Sequence, residues 1–315
     1  MTGLAHPPAV VALGGGHGLA ASLQALRRVT SDITAVVTVA DDGGSSGRLR
    51  QQFDMLPPGD LRMALAALCG DDAEGRLWAD VLQSRFGGQG PLAGHAIGNL
   101  LIAGLWERLG DPVAGLDLVG RLLNVQGRVL PMSIVPLVIH ADVLGGDERY
   151  PDEVSVVSGQ VNVATAPGDI QRVWLEPADP PACQQAVDAV LAADHVVLGP
   201  GSWYSSVIPH LLVPGVVDAL CETRARRTLT LNLARANETR RMAASAHLEA
   251  IAEHAPRLRF DHVVCDPSFA GEDPHLASYA RSLGADLVVA PVRMSDGSAR
   301  HDPNRLASVY HDLIG

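Results

Sequence analysis

Two glycine-rich stretches have the composition and the position of phosphate-binding loops. Each follows a short apolar run and precedes a helical pattern. In the first stretch the free backbone N–H groups suit a phosphate, and the two stretches together suggest a two-part ligand such as a nucleotide sugar, with the second on the nucleoside side. The residues are Gly14, Gly15, Gly16, His17 and Gly18 in the first stretch, and Gly199, Pro200, Gly201 and Ser202 in the second. The first is not the standard dinucleotide fingerprint, since the third glycine would fall at Leu19. A merely tight turn remains the alternative.

Three aspartates are candidates for catalysis or metal binding. Asp41 and Asp42 end the second apolar run, where an acidic residue can meet ribose hydroxyls. Adjacent carboxylates can also hold Mg²⁺ against a diphosphate, and Asp42 is the candidate metal ligand. Asp60 follows a Pro-Pro-Gly turn, so it either serves as the N-cap of a helix or directs its carboxylate into the same cleft. Capping is the alternative for Asp41 and Asp42 as well.

The glycines and serines after this acidic pair extend the candidate nucleotide site. They are Gly43, Gly44, Ser45 and Ser46. Together with Gly47 they match the G-x-S-x-G elbow of serine hydrolases, although no downstream Asp and His can be assigned as partners. Asn99, near the start of an apolar helix, either faces an anion or satisfies buried backbone.

Two further groups have a functional and a structural interpretation. Trp203 or Tyr204 could stack on a base, but aromatic residues in the first turn of a helix more often pack in the core. One of the arginines near the run 228–233 could reach a phosphate, whereas most of them are expected to be solvated. These arginines are Arg224, Arg226, Arg227, Arg240 and Arg241.

The elements that position these residues follow a strand, loop, helix order. Because successive strands are joined by helices, the pattern predicts a Rossmann-like, doubly wound α/β fold with a mostly parallel sheet. The predicted strands are 9–13, 33–40, 195–198, 228–233, 260–265 and 287–290, and the predicted helices include 19–29, 61–68 and 97–109. Ligands bind at the carboxyl edge of such sheets, so both glycine stretches are expected there.

The middle of the chain follows another pattern. From about residue 125 to 176 apolar and polar residues alternate, as in 154–156 and 161–163, with glycine and proline between the runs. We interpret this region as a strand-rich insertion or sheet extension within one α/β domain covering 1–315.

Composition excludes several classes of protein. The formal charge of −11 argues against a nucleic-acid binder. All 24 basic residues are arginines, so Walker-type lysine chemistry and Schiff bases are excluded. Four dispersed cysteines favour a reducing compartment. With no secretory signal and no long apolar span, the expectation is a cytoplasmic protein without membrane insertion. Its apolar helices are compatible with a homo-oligomer.

Five motifs in this order resemble the YvcK family, also known as the gluconeogenesis factors. They are ALGGGHGL at 12–19, TVADDGGSSGRL at 38–49, LPPGDLR at 56–62, GHAIGNL at 94–100 and GPGSWYSSVIP at 199–209. The family is related in fold to CofD, the 2-phospho-L-lactate transferase of coenzyme F420 synthesis. The resemblance covers residues 10–209 and continues more loosely to the C-terminus.

The resemblance implies a regulator that binds UDP-sugars, notably UDP-N-acetylglucosamine. Such a protein supports cell-wall synthesis and cell shape during growth on gluconeogenic carbon, with partners in cell-wall synthesis and no established catalysis. The CofD relatives imply the alternative, a Mg²⁺-dependent transferase that uses a nucleoside-diphosphate-activated phospholactate-type donor.

Two departures from the family pattern bear on the ligand. His17 stands where the family more often has threonine, and the stretch 236–240 keeps only the Glu238-Thr239 pair of a longer family motif. No ligand role is therefore carried over to that stretch.

Overall fold

A computed structural model describes residues 6–147, 149–234 and 237–315, and for Asn237 the backbone alone. The stretch 236–240 of the sequence analysis therefore has its first residue, Ala236, outside the described residues. The other candidate site residues all lie within the described ranges.

The described residues form a seven-stranded parallel sheet at the centre of the molecule. The strands are β1 (Val10–Gly14), β2 (Ile33–Val37), β3 (Arg128–Pro131), β7 (His195–Leu198), β8 (Arg226–Thr230), β9 (His262–Cys265) and β10 (Asp286–Val289). Their order is β10-β9-β8-β7-β1-β2-β3, and each neighbouring pair is parallel. The predicted doubly wound α/β fold is confirmed.

Strand β1 lies at the point where the sheet changes its direction of winding. The chain passes from β1 to β2 and β3 on one side, and from β7 to β8, β9 and β10 on the other. All five residues of β1 are buried, as expected for a strand covered by helices on both faces. The loops that leave β1 and β7 therefore diverge and open a crevice between them, which is where open α/β sheets bind ligands.

Helices cover both faces of this sheet and join its strands. Their bounds are α1 (Gly16–Leu26), α2 (Gly44–Phe53), α3 (Gly59–Leu68), α4 (Ala73–Gln83), α5 (Ile97–Leu109), α6 (Pro112–Leu122), α7 (Gln160–Ala164), α8 (Gln184–Ala192), α9 (Pro214–Glu222), α10 (Ala244–His254), α11 (Pro267–Ala270), α12 (Leu276–Ser282) and α13 (Pro303–Ile314). Shorter helical turns occupy Trp203–Val207, Ile208–Leu212 and Asn237–Thr239.

Aspartates begin several of these helices in the expected way. Asp72, Asp111 and Asp302 are N-caps whose carboxylates accept backbone N–H groups of α4, α6 and α13. In contrast, α1 begins at Gly16 after Gly15, and no side chain of its own cap residue accepts a hydrogen bond. The first turn of α1 therefore depends on groups from elsewhere in the fold or on a ligand.

The predicted insertion is a small antiparallel sheet in the middle of the chain. It consists of β4 (Val138–Leu144), β5 (Val154–Ser158) and β6 (Asp169–Glu176), in the order β5-β4-β6. The predicted boundary at residue 125 lies too early, because β3 pairs with β2 in the central sheet. The strand prediction for 161–163 was also wrong. Gly159 at φ +93 ends β5, and the chain then forms the short helix α7.

Other boundaries differ by a few residues. The helix predicted for 19–29 begins at Gly16, because the glycines form its first turn, and β2 ends at Val37 rather than at residue 40. The helix predicted for 97–109 and the strand predicted for 195–198 match α5 and β7.

Within the described ranges, no single helix is long and apolar enough to cross a membrane. One pair of helical segments, Trp203–Leu212 and Pro214–Glu222, reaches the required length and hydropathy together, with a bend of 78° between its two parts.

Candidate functional site

A cavity of about 750 Å³ opens at the crevice between β1 and β7. Its volume falls within the roughly 300–1,000 Å³ typical of small-molecule sites. Both glycine loops contribute to it, together with α1, α3 and the loop after β8. The polar and glycine residues of its lining are His17, Gly18, Gln24, Arg62, Gln83, Arg85, Gly201, Ser202, Asn232, Arg300 and His301.

The two loops predicted to bind phosphate are in direct contact at Gly18. A Cβ added to Gly18 would lie 2.3 Å from the carbonyl oxygen of Pro200 and 2.7 Å from the Cα atom of Gly201. Because both atoms belong to the backbone, they cannot move aside as a flexible side chain would. Glycine at position 18 therefore allows α1 to pack against the loop after β7.

Asn232 fixes the second loop. Its Oδ1 accepts the N–H of Gly201 at 3.0 Å, and its Nδ2 donates to the carbonyl of the same residue at 2.7 Å. Asn232 follows the end of β8, the strand next to β7. Because Asn232 binds both the N–H and the carbonyl of Gly201, the strand next to β7 fixes the position of this loop at the cavity.

Asp60 lies behind the first turn of α1. It is 9% exposed, and its carboxylate accepts the N–H of Gly16, one of the N–H groups that α1 cannot satisfy itself. Burial, with a smaller contribution from the nearby Asp41 carboxylate, raises the pKa of Asp60 to about 7. The prediction that Asp60 is an N-cap was wrong. Pro58 occupies the cap position of α3, and the side chain of Asp60 turns to α1 instead.

The charged groups around the cavity are arginines. The described residues of its lining include Arg62, Arg85 and Arg300 and contain no Asp or Glu. Arg62 is 5% exposed, and its Nε has no hydrogen-bond partner among the described residues. His301 adds little charge, because burial lowers its pKa to about 4. Arg300 is paired with Asp296 at 3.0 Å, so Arg62 and Arg85 supply the positive charge that suits an anionic ligand.

Asp41 and Asp42 do not line this cavity. Asp41 accepts the N–H of Gly43 at 2.9 Å, and it lies close enough to Asp60 for the two carboxylates to repel each other. Asp42, the candidate metal ligand, accepts the N–H of Val161 at 3.0 Å and thereby holds α7 of the insertion. The structural alternative, that one of the two aspartates caps the next turn, is what the geometry shows for Asp41, whereas Asp42 contacts a helix far along the chain.

The serines of the acidic block are also turned away from the cavity. Ser45 forms a hydrogen bond with Nδ1 of His95 at 2.9 Å, and Ser46 accepts a long one of 3.5 Å from Asn99. Ser45 and His95 are each 3% exposed. A serine–histidine pair that solvent and substrate cannot reach does not support the serine hydrolase alternative. These bonds join α2 to the start of α5.

The aromatic residues pack in the core, as their structural interpretation predicted. Trp203 is fully buried and forms an edge-on contact with His247 at 4.8 Å between ring centroids. Glu238 caps the helical turn Trp203–Val207, because its carboxylate accepts the N–H of Tyr204 at 3.2 Å. Burial raises the pKa of Glu238 to about 7.

None of the five arginines predicted near β8 lines the cavity. Arg226 and Arg227 begin β8 and lie at the edge of the sheet opposite the cavity. Arg241 pairs with Asp169 of the insertion. The cavity arginines come instead from positions that sequence reasoning missed. Arg62 lies in the predicted helix 61–68 and Asn232 in the predicted strand 228–233, so both could have been found, whereas Arg85 and Arg300 lie on loops without any sequence signal.

Fold and site together define a Rossmann-like α/β protein with an arginine-lined cleft at the switch point of its sheet. The model of the family described as 2-phospho-L-lactate transferase CofD matches residues 10–296. The chain belongs to this family.

Similar proteins carry the name expected from the sequence. The Mycobacterium tuberculosis (strain H37Rv) protein named "Putative gluconeogenesis factor" is 55% identical over 305 residues, which cover 95% of this chain and 88% of that protein. The gluconeogenesis factor of Bacillus subtilis (strain 168) is 37% identical over 326 residues, with 99% of each chain covered. A crystal structure of a UPF0052-family protein from Bacillus halodurans is similar with a TM-score of 0.84, 34% identity, and coverage of 96% and 98%. The resemblance to the gluconeogenesis factors is confirmed.

Proposed function

We propose that this chain is a regulatory protein that binds a UDP-sugar such as UDP-N-acetylglucosamine and links carbon metabolism to cell-wall synthesis and cell shape. The observation that carries the proposal is the cavity at the switch point, which is lined by both glycine loops and by arginines without any carboxylate among its described residues. The name shared by its relatives supports the metabolic part.

The geometry suggests how such a ligand lies. Among the described residues, none accepts the N–H groups of His17 and Gly18 at the start of α1, and these groups, with Arg62 beside them, suit the diphosphate. The backbone of Gly201 and Ser202 then lies along the nucleoside. The cavity has room for the sugar towards Arg85 and Arg300.

Isothermal titration calorimetry with UDP-N-acetylglucosamine tests this proposal. His17 is exposed and lies in the first turn of α1, where an acidic residue is compatible with the helix. His17→Asp should therefore leave the fold intact and weaken binding at least about tenfold, because it places a negative charge beside the diphosphate. The matched control is His275→Asp, at the N-cap of α12 and outside the cavity lining.

The expected result is binding by the wild type and by His275→Asp, with the UDP-sugar recovered unchanged. Equal affinity of His17→Asp and wild type, or no heat of binding with any UDP-sugar, would contradict the proposal.

The family match favours one alternative, a Mg²⁺-dependent transferase. Within the described residues, no group of three His, Cys, Asp or Glu side chains forms a metal site. Mg²⁺ is often held by one or two carboxylates together with ligand phosphates and water, and the neighbouring pair Asp41 and Asp60 fits that pattern better than Asp42. The metal would stabilise charge on the transferred phosphate.

Product analysis decides between the two functions. The transferase requires that the hydroxyl of an added acceptor forms a phosphodiester with the phospholactate-type group of a GDP-activated or similar donor in the presence of Mg²⁺, with release of the nucleoside monophosphate. Asp60→Asn should abolish both products. Recovery of the intact donor leaves the binding protein as the better account.

A further inference from the structure

We propose that Gln160, a residue of the insertion, is a positioning residue that holds both loops of the cavity and couples the insertion to ligand binding. The inference rests on the proposed function for the identity of the ligand. The coupling itself rests on contacts within the chain.

The side-chain amide of Gln160 bridges the two halves of the site. Its Nε2 donates to the carbonyl of Ser205 at 3.0 Å, and the same side chain forms a hydrogen bond with the Asp60 carboxylate. Asp60 in turn accepts the N–H of Gly16. The first residue of α1 is thus linked through two side chains to the helical turn that follows Ser202.

These bonds lie behind the cavity, outside its lining. His17 and Ser202 line the cavity. They lie one and three residues away from Gly16 and Ser205, which form the hydrogen bonds. Glu238 holds the same helical turn from its other side through Tyr204. Gln160 therefore acts on the ligand through the backbone of both loops.

The residues on either side of Gln160 are hydrogen-bonded, one to Asp42 and the other to the sheet of the insertion, so a movement of Gln160 is transmitted to that sheet. Asp42 accepts the N–H of Val161, the residue after Gln160, at 3.0 Å. The N–H of Gly159 donates to the carbonyl of Ile139 in β4 at 2.8 Å. Helix α7 is too short to adjust independently of these anchors, so a shift of either cavity loop must be shared with β4 and β5.

Hydrogen exchange of the full chain without ligand tests the coupling by itself. In Gln160→Ala, the backbone amides of Gly16, of Trp203–Val207 and of α7 should all exchange about tenfold faster than in the wild type, because each loop loses its common anchor. Gln160→Met keeps the length of the side chain and removes the donor, so it should behave like Gln160→Ala. Gln171→Ala, on the exposed side of β6, is the matched control and should exchange like the wild type.

The second measurement adds UDP-N-acetylglucosamine. Ligand should slow exchange in the cavity loops and also in α7 and β5 of the wild type, whereas in Gln160→Met the slowing should be confined to the loops and affinity should fall about tenfold. Wild-type exchange rates at both loops in ligand-free Gln160→Met would overturn the coupling, as would an insertion in wild type that does not respond to bound ligand. Failure of the wild type to bind overturns the proposed function instead, and the ligand-free comparison still decides the role of Gln160.

Discussion

At the start of α1, the carboxylate of Asp60 accepts the N–H of Gly16, a group that the glycine turn was expected to offer to a phosphate. The next two residues, His17 and Gly18, line the cavity. One carboxylate therefore divides the first turn of the helix into an intramolecular part and a part open to a ligand. This division cannot be predicted from the turn alone, because Asp60 comes from another helix.

The buried carboxyl of Glu238 gives the protein a stability that depends on pH. Its pKa is about 7 in the folded state, against an ordinary value of 4.5 for glutamate. Between these pH values the folded state holds a proton that the unfolded state releases, so the contribution of Glu238 to the free energy of unfolding falls as pH rises. Glu238→Gln should reduce the slope by about one proton, and the similar contribution of Asp60, whose pKa is also about 7, should remain.

Urea denaturation at several pH values between these limits measures the effect. Glu222→Gln, at the exposed end of α9, is the control and should keep the wild-type slope. An unchanged slope in Glu238→Gln would show that Glu238 is already ionised across this range.

At the scale of the elements, the contact between α1 and the loop after β7 leaves no room for a side chain at position 18. A Cβ at position 18 would lie 2.3 Å from the carbonyl oxygen of Pro200, so Gly18→Ala forces the helix and the loop apart. We expect a loss of about 1–3 kcal/mol in the free energy of unfolding, measured by urea denaturation. Ligand binding should also be weaker, which calorimetry measures.

Gly104→Ala provides the comparison. Gly104 lies within α5, and no atom lies within 4 Å of an added Cβ. Because alanine favours a helix over glycine, this variant should gain up to about 1 kcal/mol. If Gly18→Ala is as stable as Gly104→Ala, the close contact does not restrict the two loops.

The insertion contains one element that the alternation of apolar and polar residues predicted correctly and one that it did not. Alternating residues correctly predicted β5, but the same pattern at 161–163 belongs to α7. The deciding feature is Gly159 with a positive φ, which ends the strand, together with the carboxylate of Asp42, which accepts the N–H of Val161. The second of these is a contact between residues far apart in sequence, so no local window contains it.

For the molecule as a whole, the sheet and its ligand-binding edge were predictable, because buried strands joined by helices allow few topologies. His17, Gly18 and 200–202 were placed correctly at one cavity by that argument. The positive charge of the cavity could not be predicted, since Arg85 and Arg300 come from loops far apart in the sequence. Conversely, Asp42 and Ser45 have the composition of a site but hold α7 and α5 in place.

The distribution of charge over the molecule leads to a prediction about salt. The formal charge is −11, which repels an anionic ligand at long range, whereas the arginines of the cavity attract it at short range. Charges beyond about 10 Å are screened at about 0.1 M salt, so the local attraction should dominate. The Kd for UDP-N-acetylglucosamine should therefore rise severalfold between about 0.05 M and about 0.5 M NaCl. A Kd that falls with salt would indicate that the overall charge dominates.

The position of β1 between β2 and β7 also has a consequence for synthesis on the ribosome. β2 follows β1 closely, but β7 begins about 180 residues later. At roughly 5–20 residues per second, the other edge of β1 remains unpaired in the nascent chain for about 10–40 seconds. Its apolar sequence, VVALG, can pair with other chains during that interval. Truncated products that end before residue 195 should consequently aggregate or require a chaperone, even though they contain the whole insertion and most of the acidic and glycine motifs.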